Sequence, residues 1–261
     1  MDFEPSLSPR FVAYVSDYLL DRGIEPEPVF SECEIAYQRD GEFDTPVPVH
    51  QVARLFEHAA HRSGNPCMGM NMGQQFHYEN SGLLVLAMLA APSVEGGLRC
   101  LNRYDRFVDT AIETSFDFGS PLAQFGARLI VDVAMHVEQL NEYLMAFLVQ
   151  TLNTATRKAV PLTEVWFAHA NARNRSELEG FFGAPVKFSR DTNMLRFDRS
   201  YLKERFFSSN SLLYDILTKA LRTYFSSFNE QTGFVDVVAR ELMSNRGDDT
   251  LSAENIALKL A

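Results

Sequence analysis

Apolar positions recur at helical spacing along much of the chain. Val12, Val15, Leu19 and Leu20 predict a first helix over 11–22, closed by Gly23. A Pro-broken acidic connector with one short helix follows at 24–35, and Pro46 and Pro48 make 45–48 an extended lead-in. Val52, Leu55, Phe56, Ala59 and Ala60 form the buried side of a helix over 49–62, which Gly64 and Pro66 end. A short helix is expected within 65–76 and a polar loop at 77–80. The apolar run 81–89 reads as helix because it is rich in Leu, Ala and Met. Ser93 then caps a helix over 94–110, with Glu95 in its first turn.

The texture changes after residue 111. Segments 113–119 and 126–136 alternate or run apolar around a Gly-Ser-Pro turn, the pattern of a hairpin. Leu140, Tyr143, Leu144, Phe147, Leu148 and Leu152 stripe a long helix over 138–158, which Pro161 stops. A strand over 164–170, a helix capped by Ser176 and running to Phe182, and short strands at 185–188 and 194–197 complete the block. A regular amphipathic helix over 209–228 and another over 234–244 follow. The element order predicts an α+β fold: a mainly antiparallel sheet of about five strands covered by helices. A C-terminal helical linker then leads into a final short helix. Residues 1–228 form the expected main domain and 229–261 the linker and terminal piece.

Composition narrows the class. Hydrophobic residues make up 46% and charged residues 22%, as in a globular protein. No apolar stretch reaches the ~18–20 residues of a membrane span, and no leader pattern opens the chain, so no membrane association is expected. Cys33, Cys67 and Cys100 are odd in number and widely spaced, which suits a reducing compartment, the cytoplasm by default. The net charge of −10 argues against these residues being the main DNA-contacting surface, which would need clustered Lys and Arg.

No nucleophile elbow, zinc-protease helix, phosphate loop or dinucleotide fingerprint occurs, so the expectation is a protein that is not an enzyme and needs no cofactor or metal. His50, His58 and His61 lie near one helix face with Glu57, but without a third firm ligand they read as a polar surface. His77 and Tyr78, with Glu79 and Asn80, line either a pocket mouth or a surface turn. Alternation puts Val165, Phe167 and His169 on one strand face and Trp166 and Ala168 on the other. Phe167 and His169 therefore either face an effector pocket or belong to the core.

The chain closes with GDDTLSAENIALKLA. Ser252 can cap a helix whose Ile256, Ala257 and Leu260 share one face, as in the first helix of a helix-turn-helix. This ending resembles the AraC/XylS family of bacterial transcription regulators. VPVHQVARLFEHAAHRSGNPCMGMNMG, PSVEGGLRCLNRY and EVWFAHANARNRSELEGFFGAPVKFSRDTNMLRF are similar to the N-terminal arabinose-binding-type domain in one branch of that family. His169 is followed by Ala170-Asn171-Ala172, where the family usually carries a Pro. The resemblance covers about 11–261.

The resemblance implies a domain that binds a small effector and forms a homodimer, with promoter DNA contacted by the full-length regulator only. The chain ends before a recognition helix, so effector binding without operator binding is expected of it. The Arg103-Tyr104 pair matches the family's Arg-Tyr, which gives Tyr104 either a ligand contact or a structural role. The Phe and Met content suits a fatty-acid-like effector, or else an amino-acid-like one. The competing reading is a constitutive oligomerisation module with no effector.

Overall fold

The computed structural model describes residues 4–38, 45–75, 82–131, 135–170 and 174–229. The chain divides into two compact units, Met1–Tyr214 and Asp215–Ala261, and the first carries the sheet and the cavity. The elements run β1 (Ser6–Leu7), α1 (Arg10–Leu20), α2 (Pro26–Glu32), β2 (Val47–Pro48), α3 (Val49–Ser63), α4 (Met68–Gln74), α5 (Leu83–Ala90) and α6 (Val94–Val108). Then come β3 (Ile112–Asp117), β4 (Leu122–Leu129), α7 (Glu138–Thr156), β5 (Leu162–Trp166), α8 (Arg175–Phe182), β6 (Val186–Lys187) and β7 (Asn193–Asp198). A 3-10 turn at Arg199–Lys203 and α9 (Ser211–Asn229) end the series.

The helical half follows the apolar stripes. α3 buries Val52, Ala53, Leu55, Phe56 and Ala59, and Gly64 closes it in the left-handed region at φ 64°. Ser93 caps α6 by accepting from the Gly96 N–H, as its sequence context predicts. β1 and β2 form a small antiparallel pair that the sequence pattern does not show, because two-residue strands carry no periodicity.

The five-stranded sheet has the order β3-β4-β7-β5-β6 and is antiparallel except for the β5–β6 pair. β4 begins at Leu122, earlier than the expected start at 126, since the turn Ser120–Pro121 hands over directly to the ladder. α7 ends at Thr156 rather than 158. Arg157 turns the chain at φ 56°, and the Val160 N–H is satisfied by the Asn153 side chain, so Pro161 is not the stop. α8 starts at Arg175 after Asn174, not at a Ser176 cap, because Asn174 turns its side chain into the core. β5 ends at Trp166, yet the alternation continues beyond it: Val165, Phe167 and His169 are buried.

One sheet face packs on α7. The other carries half-exposed ion pairs, with Glu164 bonded to Lys187 and Arg196, and Glu113 to Arg128. Asn193 ties sheet to helix: its Nδ2 donates to the Ala127 carbonyl at 2.9 Å and the Asn141 side chain at 2.8 Å. Its Oδ1 accepts from the Ala168 N–H at 2.9 Å. Asn193→Ala strands these buried groups and is expected to cost about 3 kcal/mol in urea unfolding; a loss under about 1 kcal/mol would show that the network is dispensable. At the sheet edge α6 lies along β3. Asp105 accepts from the Thr114 N–H at 2.8 Å, and Asn102 donates to the Thr114 carbonyl at 2.9 Å.

Candidate functional site

An apolar cavity of about 160 Å³ lies among α1, α5, α6, α7 and the β3–β4 hairpin. α6 presents Leu101, Asp105 and Val108 to it, the i, i+4, i+7 positions of one helix face, and Asp109 follows at the helix end. β4 adds Phe125 and Ala127, and α7 adds Tyr143, Leu144, Phe147 and Leu148. Arg10, Phe11 and Tyr14 enter from α1, and Leu84 and Val85 from α5. Tyr143 is locked in place by edge-on contacts to Phe11 and Phe56, with ring centroids 5.7 and 5.4 Å apart.

The polar groups of the wall are few and mostly committed. Asp105 is buried and holds the Thr114 N–H and hydroxyl. Tyr14 bonds to Arg10; burial still raises its hydroxyl above the ordinary value, with Arg10 opposing. Asp109 accepts the Ser8 N–H on Oδ1 at 2.7 Å. It is half-buried by accessible surface because it lines the cavity, yet protein crowds it and burial pushes its carboxyl up to about 6. The Ser8 bond pulls that value down and the neighbouring Asp105 charge adds to the rise. Burial keeps the Tyr143 hydroxyl protonated, well above its ordinary range.

Other sequence candidates lie elsewhere. Tyr104 is buried on α6 but is not in the cavity wall; it lies toward Tyr214, and Arg103 beside it is exposed. Phe167 and His169 pack together, centroids 4.9 Å apart, in a second buried cluster. There His169 Nε2 is 3.7 Å from the Glu142 carboxyl. Asn174 Nδ2 donates to both Glu142 oxygens, at 3.1 and 3.3 Å. Burial pushes Glu142 up to about 8 and His169 down to about 4, so both are neutral over most of the intervening range. His77 and Tyr78, and Ser252, Ile256, Ala257 and Leu260, lie outside the described residues.

On α3 the histidines are occupied separately. His50 faces Glu4, His58 faces Glu32, and Glu57 turns inward to accept the Gln139 N–H at the start of α7. Among the described residues no three His, Cys, Asp or Glu side chains converge on a metal-sized site. All three cysteines are buried, and burial raises each thiol, Cys33 and Cys100 to about 11, which leaves them protonated and poorly nucleophilic.

Sequence reasoning misses Asp109, Asp105 and Tyr143 as wall residues. Two carboxylates four apart on the face of Leu101 and Val108 are the available signal. The apolar stripe places Tyr143 on the buried side of its helix, but that side reads the same whether it meets core or cavity.

Residues 23–206 match the family described as the arabinose-binding domain of AraC transcription regulators, N-terminal. The chain belongs to this family. It thus carries the regulatory domain of an AraC-type regulator. No curated protein matches it. The fold is similar to the crystal structure of the transcriptional regulator CdpR from Pseudomonas aeruginosa. That match has a TM-score of 0.56 at 15% identity and covers 90% of this chain and 81% of the other. Among the described residues no helix of the domain is long and apolar enough to cross a membrane.

Proposed function

We propose that this AraC-type domain is the sensing half of a DNA-binding transcription regulator, and that its effector sits in the cavity between α6, α7 and the β3–β4 hairpin. The observation that carries the reading is an apolar space of about 160 Å³ whose wall holds only a few placed polar groups. An effector that prefers one arrangement of the domain shifts a dimer toward it. Residues 229–261 begin the DNA-reading module in this reading, and promoter DNA is bound by the full-length regulator. The domain performs no catalysis.

Constitutive oligomerisation without an effector is the competing reading. It draws on the start of α9, where Leu212 and Leu213 are 69% and 43% exposed. A thermal-shift screen separates the two. At a hundredfold excess over Kd, an effector is expected to raise Tm by roughly 5–10 °C. Ala127→Leu, which fills the cavity from β4, keeps the fold and abolishes the shift. A Tm that no small molecule moves, or a shift that survives in Ala127→Leu, overturns the sensing reading.

A further inference from the structure

We propose that the cavity takes a small apolar amine: a ring of about benzene size whose protonated amino group rests on the Asp109 carboxylate. This deepens the sensing reading and depends on it. Size comes first. A cavity of about 160 Å³ is close to the ~150 Å³ that holds a benzene ring. The space is partly open, so this volume sizes the group held against the wall rather than the whole effector.

The polar inventory sets the chemistry. Asp105 is spent on Thr114, and Arg10 and Tyr14 are bonded to one another. What remains in the wall is one acceptor-only carboxylate oxygen and one phenol that can donate as well as accept. Asp109 Oδ2 and the Tyr143 hydroxyl have no hydrogen-bond partner among the described residues, while Asp109 Oδ1 is held in place by Ser8. A purely apolar occupant would take water from Asp109 Oδ2 and return nothing. An anionic occupant would set its charge beside two carboxylates, and Arg10, the one guanidinium among the described wall residues, is exposed and engaged with Tyr14. An ammonium gives Oδ2 a charge-assisted donor, the strongest bond the wall can make.

The experiment titrates the 261-residue protein and its Asp109→Asn variant with benzylamine, benzyl alcohol, toluene and benzoate at neutral pH. Asp109→Asn keeps Oδ1 for the Ser8 N–H, so the fold is retained. Benzylamine is expected to bind about tenfold or more tighter than toluene or benzyl alcohol, with benzoate weakest. In Asp109→Asn the amine falls to the level of toluene. Benzoate binding as well as the amine, benzyl alcohol matching it, or an amine preference that survives Asp109→Asn overturns the ligand class. In those outcomes the ring still enters and the sensing cavity stands. If none of the four binds or raises Tm, the ligand class is overturned, and the sensing reading is decided separately by the wider thermal-shift screen and Ala127→Leu.

Discussion

Gly69→Ala is expected to unfold the domain or lower its Tm by about 10 °C or more, a loss above about 3 kcal/mol. A methyl group at Gly69 would coincide with the Gln139 carbonyl oxygen and lie 2.7 Å from its carbon. The next turn repeats the problem: at Gly73 an added carbon would lie 2.7 Å from both the Phe147 nitrogen and the Tyr143 oxygen. The obstacle is backbone, which has no rotamer with which to escape. α4 and α7 would have to part, and α7 also supports the sheet and one cavity wall. The pair is further stitched by the Gly69 N–H donating to Gln139 Oε1 at 2.8 Å, and by Gln139 Nε2 donating to the Pro66 carbonyl at 2.9 Å. Gly180→Ala on α8 is the control, since nothing lies within 4 Å of its added methyl. It should be neutral or gain up to about 1 kcal/mol. Thermal melts of the two variants decide the matter, and a Gly69→Ala protein melting within a couple of degrees of the parent would refute the close-packing argument.

The second large effect concerns pH and the Glu142–His169 cluster. Folded Glu142 titrates near 8 and an unfolded carboxyl near 4.5. The stability from its preference for a proton is fully present below 4.5 and is lost as pH rises through 8. Folded His169 titrates near 4 and an unfolded imidazole near 6.5. Its contribution is fully present above 6.5 and is lost as pH falls through 4. Between about 4.5 and 6.5 the two slopes oppose each other; above that the glutamate alone remains and stability falls toward pH 8. A glutamine side chain keeps the shape of the protonated acid and cannot ionise. Glu142→Gln is therefore expected to stabilise the domain by a few kcal/mol at about pH 8 and by little near pH 4.5. Urea unfolding of parent and variant across this range checks the sign. A difference that stays constant with pH would show that Glu142 is not held neutral.

Much of this architecture is legible in the sequence because burial imposes periodicity. The stripes on α3 and α7, the Ser93 cap and the alternation through Val165, Phe167 and His169 each follow from one residue's neighbours along the chain. What is not legible depends on residues far apart. The Met-rich segment of α4 announces a short helix, but its two glycines, four apart, say nothing of α7 until the helices meet. Asn174 carries an inward bond to Glu142, which moves the start of α8 ahead of the serine that local rules favour. The cavity is least visible, because empty space has no residue of its own. Its wall is drawn from six elements, and the core residues Phe125 and Leu148 look the same in sequence whether or not they touch a void. The alternation that singles out Phe167 and His169 describes burial correctly and leaves open which buried space they face.

Asp105 holds two positions at once, and this bears on how variants of the domain should be read. It lines the cavity, and it also closes the free edge of β3 by accepting the Thr114 N–H. An unsatisfied strand edge is a template on which another chain can pair. Removing that carboxylate would leave the Thr114 N–H at that edge unpaired as well as alter the cavity wall. A regulator that lost its response through such a destabilised edge would, in a screen scored only by reporter output, pass for a ligand-blind mutant.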